Sequence, residues 1–580
     1  MAALSTVYVC LAAATASAQT DAPQDGAPLS YRHEPAILAA NQTSDIVVSV
    51  EVLGDIEEVT FRRNVPSLAQ GFTTERWGRQ TTRTVDGRII SIFGARYEAD
   101  ILADLVVYPH GNDFPQVPLG RLIVPGVEAS PPVVWLRLAP SNLPQSTVRS
   151  LGAAAQYASH VVNIVVPGFA DTRVLGGLET FAVEEAARAF YEHFADAHDT
   201  LAFLPVASPF LDHNGLHVNV SNDIQGIGMA QFDRRAEFGS GHLRSVQVYP
   251  AGFGAQQQSL LHQLGHQWGD ESQLAALAGV DAAGRDPARH TPLVDGGATL
   301  LGAVLSGTRA VEFIDGVPQV VRTEGPVRYH PLQRYRMGLV EVSGVPDVKV
   351  FADQAQFGDE VSAPSVGSRV SGSWRTVSIN DLLAELGPRQ GPVFEVWRHA
   401  FVVVSDQLVS QREMDFYNFY AQRAAAADGT RSIDGFGSFA EATLGAMALQ
   451  TRVAPGGEAS IDETLEVSNV PFGPEDWRGV VFDEPLPSLL SAGSTITLTG
   501  SIDQETLAGS HQFMILRLAR HGDPASAART VQTTISGGRF TLPISLSGAT
   551  PGAYTLDLFV YDDASGPALP AGSLTPLVVQ

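Results

Sequence analysis

The sequence predicts an α+β central domain flanked by N-terminal and C-terminal β-sandwich-like domains. Three observations predict it. The chain has 580 residues, and at roughly 100–200 residues per domain that length asks for about three to five domains. Both ends alternate short strand-like runs with Gly, Pro, Asn and Ser turns. Only the middle adds apolar residues that recur at helical spacing. Apolar residues make up 44% of the chain and charged residues 17%, which supports packed cores and excludes wholesale disorder.

Residues 1–18 read as a secretory signal. An apolar stretch through Val7, Val9 and Leu11 ends at Ala16-Ser17-Ala18, a small-residue cleavage pattern before Gln19, although no Lys or Arg precedes it. The one cysteine, Cys10, would leave with that segment. A mature chain without cysteine has no disulfide, no thiolate metal ligand and no cysteine nucleophile. The expected location is therefore secreted, periplasmic or extracellular. No later apolar run reaches the roughly 18 residues of a membrane span, so a soluble mature chain is expected.

Residues 28–130 read as an N-terminal β-rich domain. Ile46 to Val52 begins as an apolar run and then alternates, and Ile89 to Phe93 and Ile101 to Tyr108 are further strand-like runs. The Gly- and Pro-rich stretch 125–132 reads as a linker. Residues 133–455 form the central domain. His160 to Val166 is a buried strand stopped by Pro167-Gly168, and Leu178, Phe181, Ala182, Ala186, Ala189, Phe190 and Phe194 mark an amphipathic helix over 178–197. Strands are predicted at 201–206, 216–220 and 245–249, and helices at 255–268, 331–337 and 408–426. Residues 460–580 turn β-like again, with strands at 495–499, 513–516, 540–542 and 554–560, as in an Ig-like sandwich.

Charge narrows the partners. Lys and Arg number 37 against 62 Asp and Glu, a formal charge of -25. Such a chain repels phosphate backbones, and no basic patch relieves this, so no nucleic-acid partner is expected.

The chemistry-bearing stretch is Leu261-His262-Gln263-Leu264-Gly265-His266-Gln267-Trp268-Gly269-Asp270. His262 and His266 are four apart, a spacing that stacks two side chains on one helix face about a turn apart. Two imidazoles so placed can bind one zinc ion. The bland alternative is a pair of helix-surface histidines. The apolar helix, the strands before it and Trp268-Gly269 after it favour the metal reading.

This stretch resembles the H-E-x-x-H helix of zincin metallopeptidases, in the H-E-L-G-H-x-W-G form of secreted bacterial members. Asn222 to Gly228, Phe238 to Gly241, Tyr329 to Leu339 and Phe439 to Thr443 fit the same secreted zincin-like family, so that the resemblance covers about 155–450. It implies a zincin-like fold for the central domain, a zinc cofactor, and a peptide or protein as substrate or ligand. One departure matters most. Zincins place a Glu after the first histidine as general base, and here Gln263 stands there. A carboxamide has nearly the shape of a carboxylate but accepts no proton at neutral pH. Gln333 also stands where the resemblance leads one to expect an acid.

The third metal ligand stays open. The metzincin spacing ends at Ser272, a poor ligand. His290, Asp295, Asp270 and Glu271 are the alternatives, with His290 favoured because imidazole suits zinc and the intervening chain allows a loop to return. With His262 and His266 alone, zinc would be held weakly. Other schemes carry less. No G-x-S-x-G elbow and no phosphate loop is present. Gly239-Ser240-Gly241-His242 reads as a turn, Asp212-His213 and His217 as turn and strand residues ahead of the alternative of a ligand group near the site, and Phe416, Tyr417, Phe419 and Tyr420 as a core-facing helix.

Three functions fit. The first is a secreted metallopeptidase homologue impaired by Gln263 that still binds peptide. The second is an active zinc metalloendopeptidase with a substitute carboxylate. The third is a non-enzymatic extracellular adhesion module. The oligomeric state is not legible.

Overall fold

The computed structural model describes residues 24–39, 45–65, 72–98, 116–127, 131–139, 145–169, 181–210, 215–249, 257–269, 294–295, 309–322, 328–352, 366–425, 439–453, 480–484, 489–503, 512–520, 529–549, 552–561 and 569–579. The expected signal at 1–18 with Cys10, the strand-like run at 101–108, and Asp212, His213, Asp270, Glu271, Ser272 and His290 lie outside them. The described chain is mostly β-sheet. Its α-helices, six among the described residues, are α1 (Val183–Tyr191), α2 (Gln257–Gly265), α3 (Pro331–Met337), α4 (Ile379–Leu386), α5 (Gln411–Ala424) and α6 (Phe439–Ala442). No helix among the described residues is long and apolar enough to cross a membrane.

The N-terminal unit is sandwich-like, with two five-stranded sheets, one of which takes its fifth strand, Ser208–Pro209, from the middle of the chain. One contains Pro28–Glu34, Ile46–Leu53 and Arg88–Tyr97, and the other Glu58–Asn64, Gln116–Ile123 and Val133–Ala139. Alternate residues such as Val48, Val50, Phe61, Phe93, Leu122 and Leu136 point into a shared core. Stretch 125–132, read from sequence as a linker, lies between two paired strands: Gln116–Ile123 pairs antiparallel with Val133–Ala139. Val133–Ala139 thus belongs to the N-terminal sandwich rather than opening the central unit. Gly and Pro punctuate hairpins and linkers alike, so the local signal was the same for both.

An eight-stranded mixed sheet organises the middle of the chain. Val161–Val165, Val396–Ser405, Thr200–Pro205 and Ser245–Val248 run parallel in that spatial order, and Leu216–Asn219 closes one edge antiparallel to Ser245–Val248. Both faces of the parallel strands are buried, so their residues read as continuous apolar runs. Val162, Ile164, Leu201, Phe203, Val402 and Val404 face α1. Val161, Ala202, Leu204, Phe401 and Val403 face α2 and α5. The aromatic cluster of α5 packs in that second core, with Phe416 and Tyr417 almost wholly buried. Beyond α2 the expected helical part is mixed: Arg309–Ile314 with Val317–Arg322 and Val348–Phe351 with Trp374–Val377 are hairpin-like pairs beside α3 and α4.

The C-terminal unit is also sandwich-like, with a three-stranded and a five-stranded sheet. Leu498, Phe540, Leu542, Leu516, Leu556 and Leu558 fill its core.

Candidate functional site

Helix α2 is held by its apolar side. Leu260, Leu261 and Leu264, with Trp268 in the following turn, pack under the central sheet. Tyr329 adds a hydrogen bond from its hydroxyl to the Leu261 carbonyl at 2.6 Å. With these positions committed to the core, the i, i+4 pair His262 and His266 is left half-buried on another face. Their Nε2 atoms lie 3.1 Å apart, with ring centroids separated by 4.8 Å and ring planes at 81°. Two nitrogens bound tetrahedrally to one zinc at ordinary bond lengths are about 3.3 Å apart. The two imidazoles therefore match two corners of a metal site. Without metal the same contact is a single N–H···N hydrogen bond.

The edge strand brings a third histidine alongside. The His217 ring centroid is 6.0 Å from that of His266. Both His217 nitrogens are already engaged. Nε2 meets Asn219 Oδ1 at 3.1 Å and Nδ1 meets the Gln247 amide nitrogen at 3.3 Å. The Tyr249 hydroxyl donates to Gln247 Oε1 at 2.6 Å, which turns the Gln247 amide N–H₂ toward His217. His217 thus accepts at Nδ1 and donates from Nε2. Burial pushes its pKa down to about 4, with the charge of His262 also lowering it and the Asn219 hydrogen bond opposing. It stands beside the pair as a neutral, fixed wall.

Of the expected third ligands, His290, Asp270 and Glu271 fall outside the described residues. Asp295 is described and is used elsewhere: it accepts from the Lys349 backbone N–H at 2.5 Å and donates its own N–H to the Lys349 carbonyl at 2.9 Å. Among the described residues no group of three His, Cys, Asp or Glu is arranged to hold a metal.

Three carboxamides are carried by or bond to the segment that holds the histidines, and each donates to a backbone carbonyl. Gln263 Nε2 reaches Gly215 at 3.3 Å, Gln267 Nε2 reaches Ser221 at 3.1 Å, and Gln333 Nε2 reaches Gly265 at 3.0 Å. Gln333 is carried by α3, whose start is fixed by the His330 ring accepting the Leu332 N–H at 3.2 Å and by Pro331 in the first turn. All three glutamines are buried. They tie α2 and the 3-10 turn after it to the residue before the edge strand, to the short strand Ser221–Asn222, and to α3.

The remaining sequence candidates are structural. Ser240 Oγ accepts the N–H groups of His242 and Leu243 at 2.9 and 2.8 Å and donates to Asp196, a turn closed by its own side chain. His242 Nε2 lies 3.2 Å from Asp199 Oδ1. Asn222 braces the 222–228 loop by accepting from Ile224 N–H and donating to the Ile224 and Ala230 carbonyls. In that loop a Cβ on Gly226 would fall 2.0 Å from the Pro388 carbonyl oxygen, so only glycine fits.

No protein-family model matches the chain, and no curated protein matches it at a significant level.

Proposed function

We propose that the central part of the chain, from about 145 to 455, is a zincin-like α+β domain of a secreted metallopeptidase homologue that binds peptide but is impaired in cleaving it. The observation that carries this reading is Gln263. The position that needs a proton acceptor holds a buried carboxamide, and its Nε2 donates to the Gly215 carbonyl at 3.3 Å. Loss of a general base lowers rates by roughly 10² to 10⁴.

The Nε2 separation of 3.1 Å supports a divalent cation between His262 and His266. His262 and His266, with one further donor, would hold the zinc, which would supply Lewis-acid polarisation of a carbonyl. The chain's own residues fix the rest. His217 and the edge strand Leu216–Asn219 form one wall, and an edge strand offers backbone groups with which an extended peptide can pair. Gln267 and Gln333, buried carboxamides that donate to backbone carbonyls, accept no proton at neutral pH either.

The test is metal content and casein cleavage by the full chain, wild type beside Gln263→Glu. The expected result is bound zinc, wild-type cleavage near background, and a gain in the variant. Cleavage by the wild type equal to that of the variant would sink the impaired reading. A folded chain that takes up no zinc would favour the adhesion-module reading.

A further inference from the structure

A cavity lies away from the histidines and includes none of them in its lining. It is a cleft of about 950 Å³ between the N-terminal sandwich and the central sheet. Its floor is formed at the C-terminal ends of Val161–Val165, Thr200–Pro205 and Val396–Ser405, through Val166, Val206 and Ser405. Open parallel sheets bind ligands at that end of their strands, and the volume is that of small-molecule sites. The other wall is the outward face of Pro28–Glu34, where Ser30, Arg32 and Glu34 alternate toward the cleft.

The charges on these walls are unevenly matched. Glu51 is held by Arg83 through two contacts of 3.1 and 2.8 Å and by the Ser30 hydroxyl at 2.8 Å. Asp406 accepts the Gly168 N–H at 3.3 Å. Glu413 accepts both the N–H and the hydroxyl of Ser410 at 2.7 Å, capping α5. Arg412, in the first turn of α5, lines the same cleft, and its Nη2 is buried with no hydrogen-bond partner among the described residues. A buried guanidinium donor left unpaired is costly, and a planar fork suits a carboxylate. Arg32 on the facing wall is exposed. Burial and the nearby Glu413 both raise the pKa of Glu34.

We infer that this interdomain cleft is a second binding site, for a ligand that presents a carboxylate to Arg412. Two sources share that chemistry: a free organic acid and the C-terminus of a peptide.

The test is titration calorimetry on the full chain with succinate, triglycine and triglycine amide. Saturable binding of succinate or triglycine, with none by the amide, is expected. Triglycine alone identifies a peptide C-terminus, and succinate alone an organic acid. Arg412→Gln should weaken binding at least tenfold and Arg412→Lys by less, while Arg76→Gln, an exposed arginine outside the cleft, leaves it unchanged. Binding should persist in the His262→Ala, His266→Ala double variant, which separates this site from the histidine pair. Melting curves establish that Arg412→Gln is folded, and if it is not, Arg412→Lys carries the comparison. No binding by either acid, equal binding by the amide, or an affinity indifferent to Arg412 would overturn the inference.

Discussion

Gln263 joins helix α2 to the residue before the edge strand, its Nε2 donating to the Gly215 carbonyl at 3.3 Å. Glutamate cannot make this contact while ionised, because a carboxylate only accepts. Gln263→Glu should therefore destabilise the chain at neutral pH by about 1–3 kcal/mol, the range for a buried polar group left unpaired. The carboxyl can donate only when protonated, so folding raises its pKa above the unfolded value of about 4.3. Its hydrogen bond is then present at low pH and lost as pH rises through the folded pKa. Urea melts of variant and wild type at several pH values should show the deficit shrinking as pH falls. A deficit independent of pH would mean that the Gly215 contact contributes nothing.

Gly215 is small for the same reason. A Cβ there would sit 3.0 Å from Gln263 Cγ and 3.3 Å from its Nε2. Gly215→Ala should cost about 1–3 kcal/mol through overpacking. Adding Gln263→Ala removes the opposing atoms, so the double variant should be more stable than the sum of the two single effects implies. Strict additivity in denaturant melts would refute the contact.

How much of this was legible follows from how local each signal is. Val161–Val165 is buried on both faces, and its continuous apolar run announces it, whereas Val396–Ser405, its parallel neighbour in the sheet, carries Phe401-Val402-Val403-Val404 and is not among the predicted strands. His262 and His266 were legible because helical periodicity alone puts i and i+4 together, and their Nε2 atoms are 3.1 Å apart. His217 reads first as a strand residue, with a ligand group near the site as the alternative. Its approach to His266 depends on Leu216–Asn219 pairing with Ser245–Val248, a register set by tertiary packing. The partners of Gln263, Gln267 and Gln333 were hidden for the same reason: each is a backbone carbonyl at least 46 residues away. The placement of Val133–Ala139 was missed because a turn and a linker use the same residues.

Arg137 couples the N-terminal sandwich to the central sheet. Its guanidinium donates to the carbonyls of Val206 at 3.0 Å and Pro205 at 3.1 Å and to the Ser208 hydroxyl at 2.5 Å. Its backbone N–H donates to His33 Nε2 at 3.0 Å. Arg137→Met keeps much of the apolar stem but leaves buried acceptors unpaired, at a cost of about 2–4 kcal/mol. Because the lost contacts run between units, calorimetry should show the N-terminal sandwich melting apart from the centre. One unchanged cooperative transition would show that the clasp does not couple them.

The chain should also lose stability in mild acid, and His399 is the sharpest test. It lies fully buried on the Val396–Ser405 strand, and neither ring nitrogen has a hydrogen-bond partner among the described residues. Burial pushes its pKa down to about 3, with the neighbouring His198 adding to the effect. Burial likewise lowers His198 and His330 to about 4. Unfolded, each would titrate near 6.5. Between these values the unfolded chain binds more protons than the folded one, so stability rises with pH across the window. The contribution is fully present above about pH 6.5 and is lost as pH falls toward 4. His399→Leu removes one such group from an apolar setting, where its ring packs 4.5 Å from that of Phe401. The variant should match or exceed the wild type near pH 7, since no hydrogen bond is lost. Below pH 6 it should fall off less steeply, because one fewer proton is taken up on unfolding. Denaturant melts from pH 7 to pH 4.5 read that slope directly, and an acid limb as steep as that of the wild type would show that His399 takes no part in it.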